Sequence, residues 1–141
     1  MNKFIFLILL AAASVVHPQQ RDFEIEFETF CENGAEYYAK QAFSWKMSLL
    51  KALTVTKEGS RERSEAIDLH RREKEKIFDQ NYTDRQNMKN KNKLSKIGDK
   101  ALSLAEQLSF TYATEHLDST EIQIRREVEF ECSRTTRANS R

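Results

Sequence analysis

Three glycines and one proline in 141 residues leave this chain almost without the punctuation that β-sandwiches and barrels need at every turn. Long stretches that neither residue interrupts favour helices, and the apolar spacing supports them. The fold expected is all-α, a small up-and-down bundle of three or four helices.

The first helix is expected over about residues 22–57. Phe23, Phe27, Phe30, Tyr37 or Tyr38, Ala42, Trp45, Leu49 and Leu53 recur there at three- and four-residue steps and form one stripe. Gly34 lies inside this stretch as a place to bend or divide it, and Glu58-Gly59-Ser60 ends it. A second, charge-rich helix follows over about 61–80, with Ala66, Ile67, Leu69, Ile77 and Phe78 as its candidates for burial. Thr83-Asp84-Arg85-Gln86 reads as a capping box and implies a break near Asn81-Tyr82. A third helix is expected to start from that box, weak until Leu94 and strongly periodic from there through Ile97, Ala101, Leu104, Leu108 and Tyr112. Asp118-Ser119-Thr120-Glu121 marks the start of a fourth, which carries Ile124, Val128 and Cys132. Beyond residue 133 the chain is a polar, basic tail with Arg134, Arg137 and Arg141. One domain over 22–133 accommodates all four helices.

Both cysteine-bearing segments also read with period two. Phe23-Glu24-Ile25-Glu26-Phe27-Glu28 and Val128-Glu129-Phe130-Glu131-Cys132 alternate as strands do. A two-stranded ribbon is the alternative to helix here. Phe30 breaks the first alternation, glutamate is poor in strands, and two lone strands are rarely stable, so helix is favoured.

The N-terminus limits where such a chain works. Lys3 followed by the apolar run Phe4 to Ala13 has the pattern of a secretory signal peptide over residues 1–17, with cleavage somewhere in 13–20. The run is too short to span a membrane. Export makes Cys31 and Cys132, the chain's two cysteines, expected disulfide partners, against the alternatives of two thiols or an intermolecular bridge. Closing a loop of roughly 100 residues stabilises a fold by about 4–5 kcal/mol on the loop-entropy account. Loss of Lys3 with the leader would take the 23 basic residues to 22, balancing the 22 acidic ones. A neutral chain is a poor generic binder of nucleic acid or anionic membrane, so neither is an expected partner.

Chemistry has little to build on. His17 leaves with the leader, and His70 and His116 read as surface or capping residues, since no Gly-x-Ser-x-Gly turn accompanies them. Positions 67 and 113, three before these histidines, are Ile and Ala, so the bundle-core Glu-x-x-His metal pattern is absent. No catalytic residue, metal or cofactor is expected.

Three binding features remain. Phe23, Phe27, Phe30, Tyr38 and Trp45 form a possible apolar ligand face, with core filling the favoured account. Lys89, Lys91, Lys93 and Lys96 form a possible anion-binding patch, while Asp22, Glu24, Glu26, Glu28, Glu32 and Glu36 form an acidic block; mutual attraction between the blocks or plain solvated surface is favoured. Asn81-Tyr82-Thr83 is a glycosylation sequon at the expected exposed break. The function expected is secreted, non-enzymatic recognition of another extracellular protein, or, as the alternative, carriage of a small apolar or lipid-like ligand.

Overall fold

In a computed structural model, which describes residues 18–138, the chain forms α1 (Pro18–Val55), α2 (Arg61–Asn90), α3 (Lys96–Glu115) and α4 (Glu121–Ala138). No strand occurs among the described residues, and both cysteine-bearing segments are helical, which removes the ribbon alternative. Residues 1–17, expected as a leader and including Lys3 and His17, lie outside the described residues, as does Arg141, and of the expected cleavage window 13–20 only residues 18–20 are described, as the start of α1.

Local chemistry starts and stops the helices. Gly59 turns the chain after α1 with φ +72°, a conformation side-chain-bearing residues resist. Ser60 then caps α2, its side chain accepting from the Arg63 amide at 3.2 Å. Ser95 caps α3 in the same way, accepting from the Gly98 amide at 2.9 Å. At α4 the reciprocal box is Thr120 with Gln123: Thr120 Oγ1 accepts from the Gln123 amide and Gln123 Oε1 accepts from the Thr120 amide. That is two residues later than the expected Asp118 start. Ser119 is already committed to the preceding turn, its amide donating to the His116 carbonyl at 3.0 Å.

Two expected interruptions are absent. α1 runs unbroken through Gly34. α2 runs unbroken through Asn81 and Tyr82 to Asn90, and Thr83 Oγ1 donates to the Asp79 carbonyl rather than capping anything. The capping-box pattern failed here because Asn81 and Arg85 find buried partners on α1 and α3 only if the helix continues. α4 likewise extends to Ala138, so residues 134–138 are helical.

The topology is up-and-down. His70, Asn81 and Arg85 of α2 meet Trp45, Gln41 and Tyr38 of α1 in reverse order. α3 returns parallel to α1, bringing Gly98 beside Phe30, Gly34 beside Ala105 and Trp45 against Phe110. α4 descends again, placing Ser119 at Lys46, Arg125 near Glu36 and Cys132 at Cys31. α1 packs most extensively on α3, then on α4 and least on α2, and α2 does not touch α4. The bundle is therefore a rhombus in section, with α1 and α3 as its short diagonal.

Small side chains permit that close diagonal. Gly34, Ala35, Ala39 and Ala42 of α1 are buried, as are Ala101, Ala105, Ser109 and Ala113, four successive i, i+4 positions of α3. Without bulky residues between them, two helix backbones can approach and gain dispersion along the whole seam. Larger residues fill the flanks: Phe27, Tyr38, Trp45, Phe110, Ile124 and Val128 complete the core. Each of the largest stabilises by roughly 1.5–3 kcal/mol on burial. The Cys31–Cys132 disulfide, with Cα atoms 5.7 Å apart and both residues fully buried, joins α1 to α4. It joins the first and last helices as expected.

Candidate functional site

The interior holds more charge than the amphipathic pattern suggests, and the charge is organised. Arg85 of α2, buried against α1 and α3, donates through Nη1 to Glu106 Oε2 at 2.7 Å and to the Tyr38 hydroxyl at 3.1 Å. Its Nε lies 3.3 Å from Asp99 Oδ1 but off the line of a hydrogen bond, so that contact attracts by charge alone. Asn81 Nδ2 donates to the other Glu106 oxygen at 2.6 Å and to Gln41 Oε1 at 2.8 Å. Lys89 closes the network on Asp99 at 3.0 Å. Burial, opposed by the Arg85 bond, pushes the Tyr38 hydroxyl above its ordinary value. Arg85 is pushed upward despite its burial by Glu106 and Tyr38, and so stays charged.

This network attaches α2 to the other helices where apolar residues are scarce. Phe78, packed on Phe110 with ring centroids 5.1 Å apart, supplies much of the rest. Paired charges of this kind add little net stability against apolar replacements, but removing one partner is costly. The arrangement fixes register and leaves no reacting group exposed.

A second buried cation sits at the opposite end. Lys46 is 0% exposed; its Nζ donates to the Ser119 carbonyl and, at 3.1 Å, to Ser119 Oγ, and it lies 5.1 Å from the centre of the Phe43 ring. Burial lowers its pKa, with Asp118 pulling the other way. The α3–α4 turn is thereby tied to α1.

The histidines divide. His116 is exposed at the C-cap of α3, its amide donating to the Tyr112 carbonyl at 2.9 Å and its ring tilted against that of Tyr112 with centroids 4.3 Å apart. His70, expected at the surface, is buried. Its ring Nδ1 lies 2.7 Å from the Ala66 carbonyl and its Nε2 3.1 Å from Ser48 Oγ, while its own carbonyl accepts from Trp45 Nε1 at 2.9 Å. The Ala66 contact assigns the proton to Nδ1 and leaves Nε2 to accept from Ser48. Ser48 resembles an activated nucleophile, but it stands mid-helix, where neighbouring backbone amides already bond within α1 and offer no oxyanion hole. The pair ties α1 to α2. Among the described residues, no group of three or more His, Cys, Asp or Glu side chains could hold a metal ion.

The remaining predicted residues scatter. Phe27, Tyr38 and Trp45 belong to the core and Phe30 packs beside it, whereas Phe23 is 38% exposed. Lys89 is engaged by Asp99. Lys91, Lys93 and Lys96 lie exposed around the α2–α3 turn, where Asn92 adopts φ +54°. The acidic block reaches this turn through Glu26, which accepts from Ser95 Oγ. Asn81, expected on an exposed break, is instead 4% exposed in mid-helix, its amide nitrogen committed to Glu106 and Gln41.

Sequence reasoning missed the partners of His70, Lys46, Arg85 and Glu106. Glu106 falls outside the stripe read from Leu94 to Tyr112, and only the burial of its neighbours Ala105 and Ser109 shows that its charge requires an interior partner.

Two surface features stand out. α1 continues from Lys46 to Val55, and α2 returns from Arg61 to His70, past the level where Lys46 meets the α3–α4 turn. At 1.5 Å per residue this hairpin projects by about 14 Å. Arg63 stiffens it by donating to the Leu53 and Thr56 carbonyls, and Met47, Val55, Ile67 and Leu69 are exposed on it. At the other end, Phe23, Phe27, Lys100, Ser103, Leu104, Gln107 and Thr135 line a cleft of about 510 Å³.

The fold and these features define a disulfide-clamped, antiparallel four-helix bundle with an ionic core and a projecting hairpin. No known protein family, curated protein or solved structure matches the chain. Among the described residues no helix is long and apolar enough to cross a membrane.

Proposed function

We propose that this is an exported, non-enzymatic protein that recognises another extracellular macromolecule through its α1–α2 hairpin. The observation that carries the reading is the projecting hairpin, whose Val55 is 78% exposed with Met47, Ile67 and Leu69 also outside the core. Large apolar residues exposed on a stiff projection that also carries the exposed charges Arg61, Glu62, Glu65 and Asp68 have the mixed composition from which recognition surfaces are built. The disulfide is compatible with an oxidising compartment.

Affinity capture from the native extracellular fluid, with the oxidised protein as bait, tests this. A saturable partner is expected, and Ile67→Ser with Leu69→Ser should release it without changing the circular dichroism. Capture of nothing saturable, or a partner indifferent to both changes, would discard the reading.

The cleft beside Phe23 favours a second reading, carriage of a small apolar ligand. Organic extraction of the native protein followed by mass spectrometry should then yield a stoichiometric apolar compound. A clean extract would count against carriage.

A further inference from the structure

We infer that the cleft between the start of α1 and α3 binds a small amphiphilic anion, a medium- or long-chain carboxylate in chemical class, with its chain on Phe23, Phe27 and Leu104 and its headgroup on Lys100; this inference rests on the carrier reading.

The shape comes from helix periodicity. Phe23 and Phe27 stand one turn apart on α1, their rings stacked with centroids 6.0 Å apart and planes 26° apart. Phe27 is buried and Phe23 half-exposed, so the rings form a floor that rises into a wall. On α3, Lys100 and Leu104 form one i, i+4 row and Ser103 and Gln107 the adjacent one. The cleft volume, about 510 Å³, lies within the range of small-molecule sites.

The charge selects the ligand. Among the described residues Lys100 is the one charged side chain lining the cleft, and its ammonium takes no part in the ion pairs that engage the neighbouring network. Glu24 and Glu28 of the acidic block flank Phe23 and Phe27 in sequence, but neither lines the cleft. Ser103, Gln107 and Thr135 add neutral hydrogen-bonding groups at the rim. An apolar floor with one cation at its edge suits a molecule with an apolar body and one negative end. A neutral hydrocarbon would leave Lys100 unused, and a polyanion would find one cation among the described lining residues.

Isothermal titration of the oxidised full chain with decanoate and with 1-decanol at low salt provides the test. Decanoate should bind at one site, about tenfold more weakly to the Lys100→Gln variant, with decanol binding changed less than twofold. Ser103→Trp, which fills the mouth from a half-exposed position, should remove binding of both ligands without altering the circular dichroism. If Lys100→Gln leaves decanoate affinity unchanged, or weakens both ligands equally, the headgroup assignment is wrong while carriage survives. If neither ligand binds the unaltered protein, both the inference and the carrier reading fall. Binding that Ser103→Trp leaves intact would place the ligand elsewhere and overturn the inference.

Discussion

A β-carbon on Gly34 would lie 2.8 Å from the β-carbon of Ala105, inside any ordinary contact distance. The glycine is needed for space, since it sits mid-helix against Ala105 and Leu102 of α3. Gly34→Ala should therefore destabilise the fold by about 1–3 kcal/mol through overpacking, less roughly 1 kcal/mol recovered from helix propensity. Ala105→Gly introduced into that variant should relieve the clash. Urea unfolding of the two single variants and the double variant checks this: the double should be more stable than the sum of the singles predicts, and strict additivity would refute the contact.

The Arg85–Glu106 pair gives the next expectation. Glu106→Ala leaves the buried Arg85 and Asn81 without their shared acceptor and should cost about 3–5 kcal/mol, as loss of one member of a buried ion pair does. Arg85→Met with Glu106→Leu should recover most of that loss. Chemical denaturation measures both. A mild effect of Glu106→Ala alone would mean that water reaches the site.

Asn81 should carry no glycan in the folded protein. Attachment at Nδ2 would take a donor from Glu106 and Gln41 and force a bulky, hydrated group into the α1–α2–α3 interface. Intact mass of protein secreted by a eukaryotic host, before and after glycosidase treatment, should be unchanged. A shift would show that the α2 packing around Asn81 is not maintained in the secreted molecule.

Alkaline pH should act on stability in two opposed ways. Burial lowers the pKa of Lys46 below its ordinary 10.5, so the folded state binds fewer protons than the unfolded state between the lowered value and 10.5, and stability rises with pH in that interval. Burial raises Tyr38 above its ordinary 10.0. The folded state then holds the extra proton, and stability falls as pH climbs from 10.0 through the raised value. Urea melts across this range should lose the rise in Lys46→Met and the fall in Tyr38→Phe. An unchanged profile in either variant would refute the corresponding assignment.

By itself the sequence determined the all-helical class, the extent of α1 up to Gly59, the neighbourhood in which α4 starts, and Cys31 with Cys132 as the one intramolecular pairing open to the chain. Helix formation is written in local spacing: the stripe from Phe27 to Trp45 and the row from Ile97 through Leu104 and Leu108 to Tyr112 each declare an apolar face without reference to any other segment, although the fully buried row of α3 is Ala101, Ala105, Ser109 and Ala113 beside it. Two cysteines leave one intramolecular pairing. Only the tertiary structure decided that α2 continues through Asn81, that His70 and Lys46 lie inside, and that the aromatic stripe of α1 chiefly fills the core. Thr83-Asp84-Arg85-Gln86 satisfies the capping pattern as well as Thr120-Glu121-Ile122-Gln123 does, yet only the second is a cap. The difference lies in Glu106 and Gln41, far away in sequence, whose buried groups reward Asn81 and Arg85 for remaining helical. A polar residue's fate depends on which partner the fold brings to it, and local spacing carries no record of that partner.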